Sequence, residues 1–299
     1  MKLGIHPDEK IISLDNTAAN LFRACPSRFK YRMMHDLVPI AEHEAEHPTL
    51  KLHYGIAWHS AMDVLYKSKS VQKAQATFEA GAAGLEQDTY NRQTIGRGVS
   101  DLDEYALRYE HELSTLELLD AEVIATAEIG AIGEWRVLYH GAIDKVLRLT
   151  PGGPVRVRDH KTTSYVSQGT AVQYQLSNQM LGYAWLIQKF LGYNDLTVDV
   201  DIVGVTRVKP PSEFVRTEVR ATPTLLTEWE KEIMHTASMM LACYDADTWP
   251  RYGERACYMY NRRCDFFDIC SVDEDFRPAQ MNAHYVKEPW DPESRRENE

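Results

Sequence analysis

The chain has 299 residues, 44% hydrophobic and 26% charged, a balance that supports a sizeable core in one large domain or two smaller ones. Its 44 acidic residues outnumber 33 basic ones, and the net charge of -11 argues against a protein that coats nucleic acid. A nucleic-acid enzyme stays open, because metal-binding carboxylates can carry the excess while a local basic patch handles phosphate.

The opening MKLGIHPDEK has no apolar signal core, and no run reaches about 18 apolar residues, so neither export nor a membrane span is expected. Five cysteines, odd and sparse, point to a reducing cytoplasmic interior rather than a disulfide framework. In residues 11–35, Asp15 or Asn16 caps a helix that ends at Cys25-Pro26, and SRFKYRMMH begins another. Arg23, Arg28, Lys30 and Arg32 interleave with Phe29 and Tyr31. That pattern suits a nucleic-acid backbone with stacked bases, or more often a solvated basic face with its rings turned inward. Residues 36–53, with Glu42, His43, Glu44, Glu46, His47 and Pro48, read as a polar loop, with a His43/His47 metal pair as the lesser alternative.

From Leu52, LHYGIAWHSAMDVLYKS reads as a helix whose apolar side carries Ile56, Met62, Val64 and Leu65. His59 sits among them and is a core histidine unless that helix packs over a metal site. Residues 70–118 are helical in pattern, broken at Gly81, Gly84 and QTIGRGVSD, and read as an inserted subdomain. AEVIATAEIGAIGEWRVL then gives a strand, a glycine turn and the approach to a hairpin, with Glu122 and Glu128 at surface positions.

That hairpin, Tyr139 to Lys161, holds two apolar-rich runs joined by Thr150-Pro151-Gly152-Gly153. If Leu149 faces Pro154, Asp144 falls opposite Asp159, and opposed residues share a face. Alternation adds Lys161 to that face. Two carboxylates suit a Mg²⁺ that must also hold a phosphate, and a neighbouring ammonium can position water or offset phosphate charge. A one-residue slip would separate the acids. Taken alone, a D-x-K tripeptide is more often a solvated strand end.

Downstream, AVQYQLSNQMLGYAWLIQKFLGY reads as one helix with Gln175, Gln179 and Tyr183 along a face, fit to hold a sugar-phosphate backbone or to bond a neighbouring loop. LTVDVDIVGVTR is a strand, with Arg207 and Lys209 as phosphate contacts at its exit. Thr222-Pro223 starts a helix that runs to about Asp245, with Cys243 packed on its apolar side. Cys257, Cys264 and Cys270 then fall within fourteen residues. Thiolates at such spacing hold zinc or an iron–sulfur cluster, the alternative being three buried thiols; the fourth ligand comes from Cys25, Cys243 or a histidine. The tail from Ser271 is polar.

Together these motifs resemble the PD-(D/E)XK nuclease superfamily, in its RecB-type branch, near the CRISPR-associated RecB-like iron–sulfur exonucleases. The resemblance runs from Cys25 to Cys270, on GIAWHSA for His59, GAIDKV for Asp144, RDHKTT for Asp159 and Lys161, and QMLGY for Gln179 and Tyr183. It implies an α/β, restriction-endonuclease-like α-β-β-β-α-β core with an inserted helical subdomain. It implies Mg²⁺ or Mn²⁺ on His59, Asp144, Asp159 and the His160 carbonyl, and a structural [4Fe–4S] cluster on Cys25, Cys257, Cys264 and Cys270 that joins the N- and C-terminal segments, with zinc as the alternative. The trio is spaced C-x₆-C-x₅-C where much of the family has C-x₂-C-x₅-C, and the D-x-K acid is Asp rather than Glu.

The expected function is hydrolysis of DNA phosphodiesters, preferentially as a single-strand exonuclease in a bacterial or phage-infected cell. Gln175, Gln179, Tyr183 and Arg28 would contact the strand, and recombination or CRISPR-adaptation proteins or a second copy of the chain would be partners. The rivals are a silent DNA-binding subunit of a recombination or integration complex, a zinc-stabilised endonuclease, and a redox or sensor protein in which the cluster is the active part. The expected divisions are 1–35, a first helical segment with Cys25; 36–120, a helical subdomain with His59; 121–210, the nuclease core; 211–275, a helix and the cysteine trio; and 276–299, a tail.

Overall fold

Local chemistry fixes where the elements begin and end. The computed structural model describes residues 2–43, 50–84, 93–164, 166–167, 169–193, 196–205, 212–259 and 262–290. The chain opens with strands β1 (Gly4–His6) and β2 (Ile11–Leu14). Helix α1 (Asn16–Ala24) starts where the Asp15 carboxylate accepts the Ala18 N–H at 2.6 Å. It stops at Cys25, held extended before a proline at φ -167° and ψ 113°. Pro26 then opens α2 (Pro26–Phe29), which runs into a π-helical turn at Lys30–Met34. Strand β3 (Leu37–Pro39) and the single turn α3 (Ile40–His43) replace the first part of the expected loop, while Glu44, Glu46, His47 and Pro48 lie outside the described residues.

Helices α4 (Leu50–Ser68), α5 (Val71–Gly81), α6 (Ile95–Arg108) and α7 (Glu110–Thr115) follow, and the hydroxyls of Ser70 and Thr94 cap α5 and α6. Long strands β4 (Glu117–Ile132) and β5 (Trp135–Arg148) lead to β6 (Val155–Thr163). Helix α8 (Asn178–Leu191) ends at Gly192, whose φ of +73° is the left-handed conformation that stops a helix. Strands β7 (Leu196–Gly204) and β8 (Glu213–Arg220) precede α9 (Pro223–Asp245), which begins at the expected Thr222-Pro223. The chain closes with α10 (Glu254–Cys257), β9 (Tyr258–Met259), β10 (Arg262–Arg263), α11 (Phe267–Cys270), α12 (Arg277–His284) and β11 (Tyr285–Lys287). The alternation in EFVRTEVR, unread in the sequence, is β8. No helix among the described residues is long and apolar enough to cross a membrane.

These elements form two units, and neither is a continuous stretch of chain. The first comprises Met1–Glu46, Thr126–His140 and Thr227–Asn298. In it β1 pairs antiparallel with β2, and β2 runs parallel to the start of β5, Ile11 beside Arg136 through Leu14 beside Tyr139. The Tyr139 ring meets Trp229 of α9 edge-on at 4.8 Å, and Arg23 Nε donates to Thr236 Oγ1 at 3.0 Å. A separate apolar cluster of Tyr31, Leu37, Phe266, Ile269 and Tyr285 has Cys264 and Cys270 packed on it.

One buried histidine makes this unit pH-sensitive. His140 lies between Ser13 Oγ, 2.6 Å from Nε2, and Thr126 Oγ1, 2.7 Å from Nδ1. Burial, with the His6 imidazole, pushes its pKa down to about 4. A base with a lowered folded pKa binds fewer protons folded than unfolded between that value and its ordinary 6.5. Stability therefore rises as pH climbs through that window and levels off above it, by roughly 3 kcal/mol. Urea unfolding at pH 4.5 and 7 is expected to show the rise, and His140→Gln, which keeps a donor and an acceptor but cannot titrate, to remove most of it. Equal pH slopes in the two proteins would discard this account.

The second unit comprises His47–Ala125 and Gly141–Leu226. Its strands lie in the order β5-β6-β7-β8, with β5–β6 and β7–β8 antiparallel and β6–β7 parallel. One face packs on α4 to α7 through Tyr54, Trp58, Met62, Phe78, Leu147 and Phe214. Helix α6 comes close because Gly98 has no side chain: a Cβ there would lie 2.1 Å from the Phe78 ring. Helices, three strands, α8 and β7 in chain order give the expected α-β-β-β-α-β core.

That helix-facing side also buries charge. Arg158, wholly buried, gives Nη1 to Tyr66 Oη at 2.7 Å and Nη2 to Asp199 Oδ2 at 2.9 Å, and pairs with Glu112 of α7. Arg216 reaches Glu112 at 2.7 Å and Asp201 at 2.9 Å, and Tyr105 also donates to Asp201. Arg156 pairs with Asp199 at 2.6 Å and Glu218 at 2.7 Å. Asp199, Asp201 and Glu112 are each shared between donors, which is what permits their burial.

Candidate active site

The β5–β6 register decides what can be assembled at this end of the sheet. Lys145 lies opposite Arg158, Val146 opposite Val157 and Leu147 opposite Arg156. Continued one residue, that register sets Asp144 opposite Asp159, the alignment expected when Leu149 faces Pro154. Both acids are sequestered, Asp144 at 8% and Asp159 at 1% exposure. Each has a basic neighbour. His59, from α4, brings Nδ1 to 3.1 Å from Asp144 Oδ2, and the same oxygen accepts the His160 N–H at 2.8 Å. Lys161 Nζ donates to Asp159 Oδ1 at 3.1 Å and lies 2.8 Å from Oδ2.

Burial acts on all four groups and charge decides the outcome. At Asp144 burial is outweighed by the hydrogen-bonded His59 and by Lys161, which hold its carboxyl well below the usual range. At Asp159 burial prevails over Lys161, and the Asp144 charge adds to it, so that carboxyl is raised. Both bases are partly buried, which disfavours their charge, yet the acids beside them raise His59 and Lys161.

Two close carboxylates, one of them reluctant to ionise, make a site that further positive charge would complete. Asp159 Oδ2 is also buried, with the Lys161 ammonium beside it. Among the described residues no group of three or more His, Cys, Asp or Glu is arranged to hold a metal ion. The carboxylate pair supplies oxygen donors of the kind that suit a Mg²⁺-type ion that keeps waters and takes a phosphate.

Other expected site residues are placed differently. Gln179 and Tyr183 lie on α8, with Gln179 Nε2 donating to Tyr183 Oη at 2.7 Å. Gln175 is not on that helix. Ser177 is extended (φ -68°, ψ 123°) and resets the chain, so α8 starts later than its periodicity predicts. Gln175 sits instead after a 3₁₀ turn at Val172–Tyr174, its amide donating to Thr217 Oγ1 at 3.3 Å and to the Glu218 carbonyl at 3.1 Å. Tyr174 in that turn was missed in the sequence; burial raises its phenol pKa, and the charges of Lys161 and Asp159 act on it.

The basic segment of the first unit is engaged within that unit. Arg28 meets Asp265 at 2.7 Å, Lys30 meets Asp247 at 3.0 Å, and Arg32 donates to the Glu288 carbonyl at 2.9 Å. Phe29 and Tyr31 are buried, so the rings turn inward rather than outward to bases. Glu128 pairs with Arg136 and His43 with Glu288. Arg207 and Lys209 lie outside the described residues.

Cys25, Cys257, Cys264 and Cys270 are all in the first unit and are free thiols. Burial, then the charges of Cys25, Cys264 and Cys257, pushes Cys270 up to about 11. The four are neighbours, but no ligand cage is formed among the described residues. Each cysteine of the trio sits on a different short piece, at the ends of α10 and α11 and after β10. The assembled cluster expected from spacing is therefore not shown.

A family model for the PD-(D/E)XK nuclease superfamily matches residues 15–271. The chain belongs to that superfamily. PD-(D/E)XK nucleases usually use Mg²⁺ or Mn²⁺, in keeping with the carboxylate pair. No curated protein matches the chain. Among solved structures, that of SSO0001 is similar at 15% identity over 67% of this chain and 81% of its own, with a TM-score of 0.31, too distant to inform the site of this PD-(D/E)XK protein.

Proposed function

We propose that this chain is a metal-dependent DNA nuclease of the RecB-type branch that hydrolyses phosphodiesters of single-stranded DNA from an end. The observation that carries the hydrolytic reading is the approach of Asp144 and Asp159, each with its own basic partner. Held by Asp144 and Asp159, with His59 and the His160 carbonyl as further ligands, Mg²⁺ or Mn²⁺ would polarise the phosphate and acidify a water. His59 and the His160 N–H fix the orientation of the Asp144 carboxylate. Lys161 keeps an ammonium beside Asp159, suited to orienting the attacking water or to offsetting charge that develops on phosphate. The bonded Gln179 amide and Tyr183 phenol steer the strand, and the exonuclease preference rests on the motif resemblance. Recombination or CRISPR-adaptation proteins, or a second copy, are the proposed partners.

The four cysteines are proposed to hold a structural [4Fe–4S] cluster with no redox step in hydrolysis. The test is purification without oxygen, iron and sulfide assay, then cleavage of end-labelled single- and double-stranded DNA with Mg²⁺, Mn²⁺ or chelator. We expect a brown protein and metal-dependent shortening of single strands. Colourless, zinc-loaded protein would refute the iron–sulfur assignment while leaving the nuclease standing. Failure to cut in every condition would remove the enzyme.

A further inference from the structure

The turn at Val172–Tyr174 and the residues just after it carry two large apolar side chains that the fold leaves in water. Val172 is 67% and Leu176 72% exposed, four residues apart. The turn that displays them is closed by a local hydrogen bond before it and bonded to the sheet after it. Before it, the buried Thr170 accepts the Ser167 N–H at 2.7 Å. After Val172, Gln175 bonds to Thr217 and Glu218 of β8.

Its place relative to the carboxylates follows from the sheet. Asp159 pairs with Val200, and Val200 pairs with Thr217, so Asp159 and Thr217 lie in one row, two strand spacings or about 10 Å apart. Partners in a row share a face, and Gln175 grips that row at Thr217 Oγ1. Tyr174 stands between Val172 and Leu176 in sequence and feels the charges of Lys161 and Asp159. The apolar pair thus flanks a turn bonded to the sheet row that carries Asp159.

We infer that Val172 and Leu176 form an apolar platform on which unpaired bases of the substrate strand pack as its phosphate enters the carboxylate site. This rests on the nuclease reading and narrows it to substrates whose bases are free to leave their own stack. Aliphatic side chains pack on base faces without reading base edges, so the platform selects for single strands without selecting a base. In a duplex the base faces are stacked on one another and offer the turn nothing. Tyr174 and Gln175 position the turn.

The test measures binding and cleavage separately with the full-length protein. Fluorescence anisotropy in EDTA would compare wild type with Val172→Ala/Leu176→Ala on three labelled oligonucleotides: a single strand, a duplex, and a single strand made of abasic sites. The variant is expected to bind the single strand about tenfold more weakly, the scale of losing a few buried aliphatic carbons. Its affinities for the duplex and the abasic strand should match those of wild type, and Leu176→Phe should restore or tighten single-strand binding. Equal losses on all three probes, or no loss on the single strand, would overturn the platform. A wild type that binds the single strand but cuts nothing in Mg²⁺ or Mn²⁺ would sink the nuclease reading alone, leaving the platform to be decided by the binding comparison.

Discussion

Asp159→Asn is expected to give a folded protein that binds DNA and no longer cuts it. The substitution keeps the shape of the side chain and an oxygen for Lys161 Nζ, which lies 2.8 to 3.1 Å from the native carboxylate. It removes one of the two anions on which a divalent cation would rest. Metal-derived stabilisation of transition-state charge is worth several kcal/mol, so kcat should fall on the order of 10³-fold or more. Stability without metal should barely change. Asp159 is buried beside Asp144, and burial and that repulsion already raise its pKa, so loss of the charge offsets the loss of its pairing with Lys161. Single-turnover cleavage of a labelled strand at saturating enzyme separates this from a binding defect. Activity within tenfold of wild type would place the chemistry elsewhere.

Arg158→Met should produce the largest loss of stability from any single change in the second unit. Its guanidinium is wholly enclosed, with Tyr66, Glu112 and Asp199 around it. After substitution Asp199 retains Arg156 and Glu112 retains Arg216, but each acid has lost a buried counter-charge. Breaking a buried ionic network from one side costs roughly 3–5 kcal/mol. Arg156→Met is the control, because its side chain is 18% exposed and one of its acids, Glu218, is 48% exposed. It should cost about 1 kcal/mol. Urea midpoints measure both, and an Arg158 variant no less stable than the Arg156 variant would show that the network contributes little.

The candidate catalytic geometry was legible in the sequence because it depends on local rules. A Pro-Gly-Gly turn between two apolar runs sets a register, and the register sets Asp144 against Asp159. Helix caps were legible for the same reason: Asp15 and Thr222-Pro223 act on their immediate neighbours. The misreadings concern contacts that no local pattern encodes. Gln175 fits the helical spacing of Gln179 and Tyr183, yet bonds to β8, more than forty residues away, so the helix begins beyond it. Arg28 and Lys30 read as a free basic patch because Asp265 and Asp247 are over two hundred residues off. The buried Arg158–Asp199 pair went unread, since a charged residue in a strand gives no sign of which side is covered. The cysteine trio stands out by spacing alone, but no ligand cage forms with it among the described residues, and spacing says nothing of where the chain crosses between units.

Those crossings have a practical consequence. The polypeptide passes from one unit to the other at Glu46–His47, Ala125–Thr126, His140–Gly141 and Leu226–Thr227, twice within a strand and once within a helix. No pair of scissors applied to the gene frees either half: a fragment ending at Leu226 carries the carboxylates but orphans the opening residues from α9, against which they fold. Dissection of this protein must therefore proceed by point substitution.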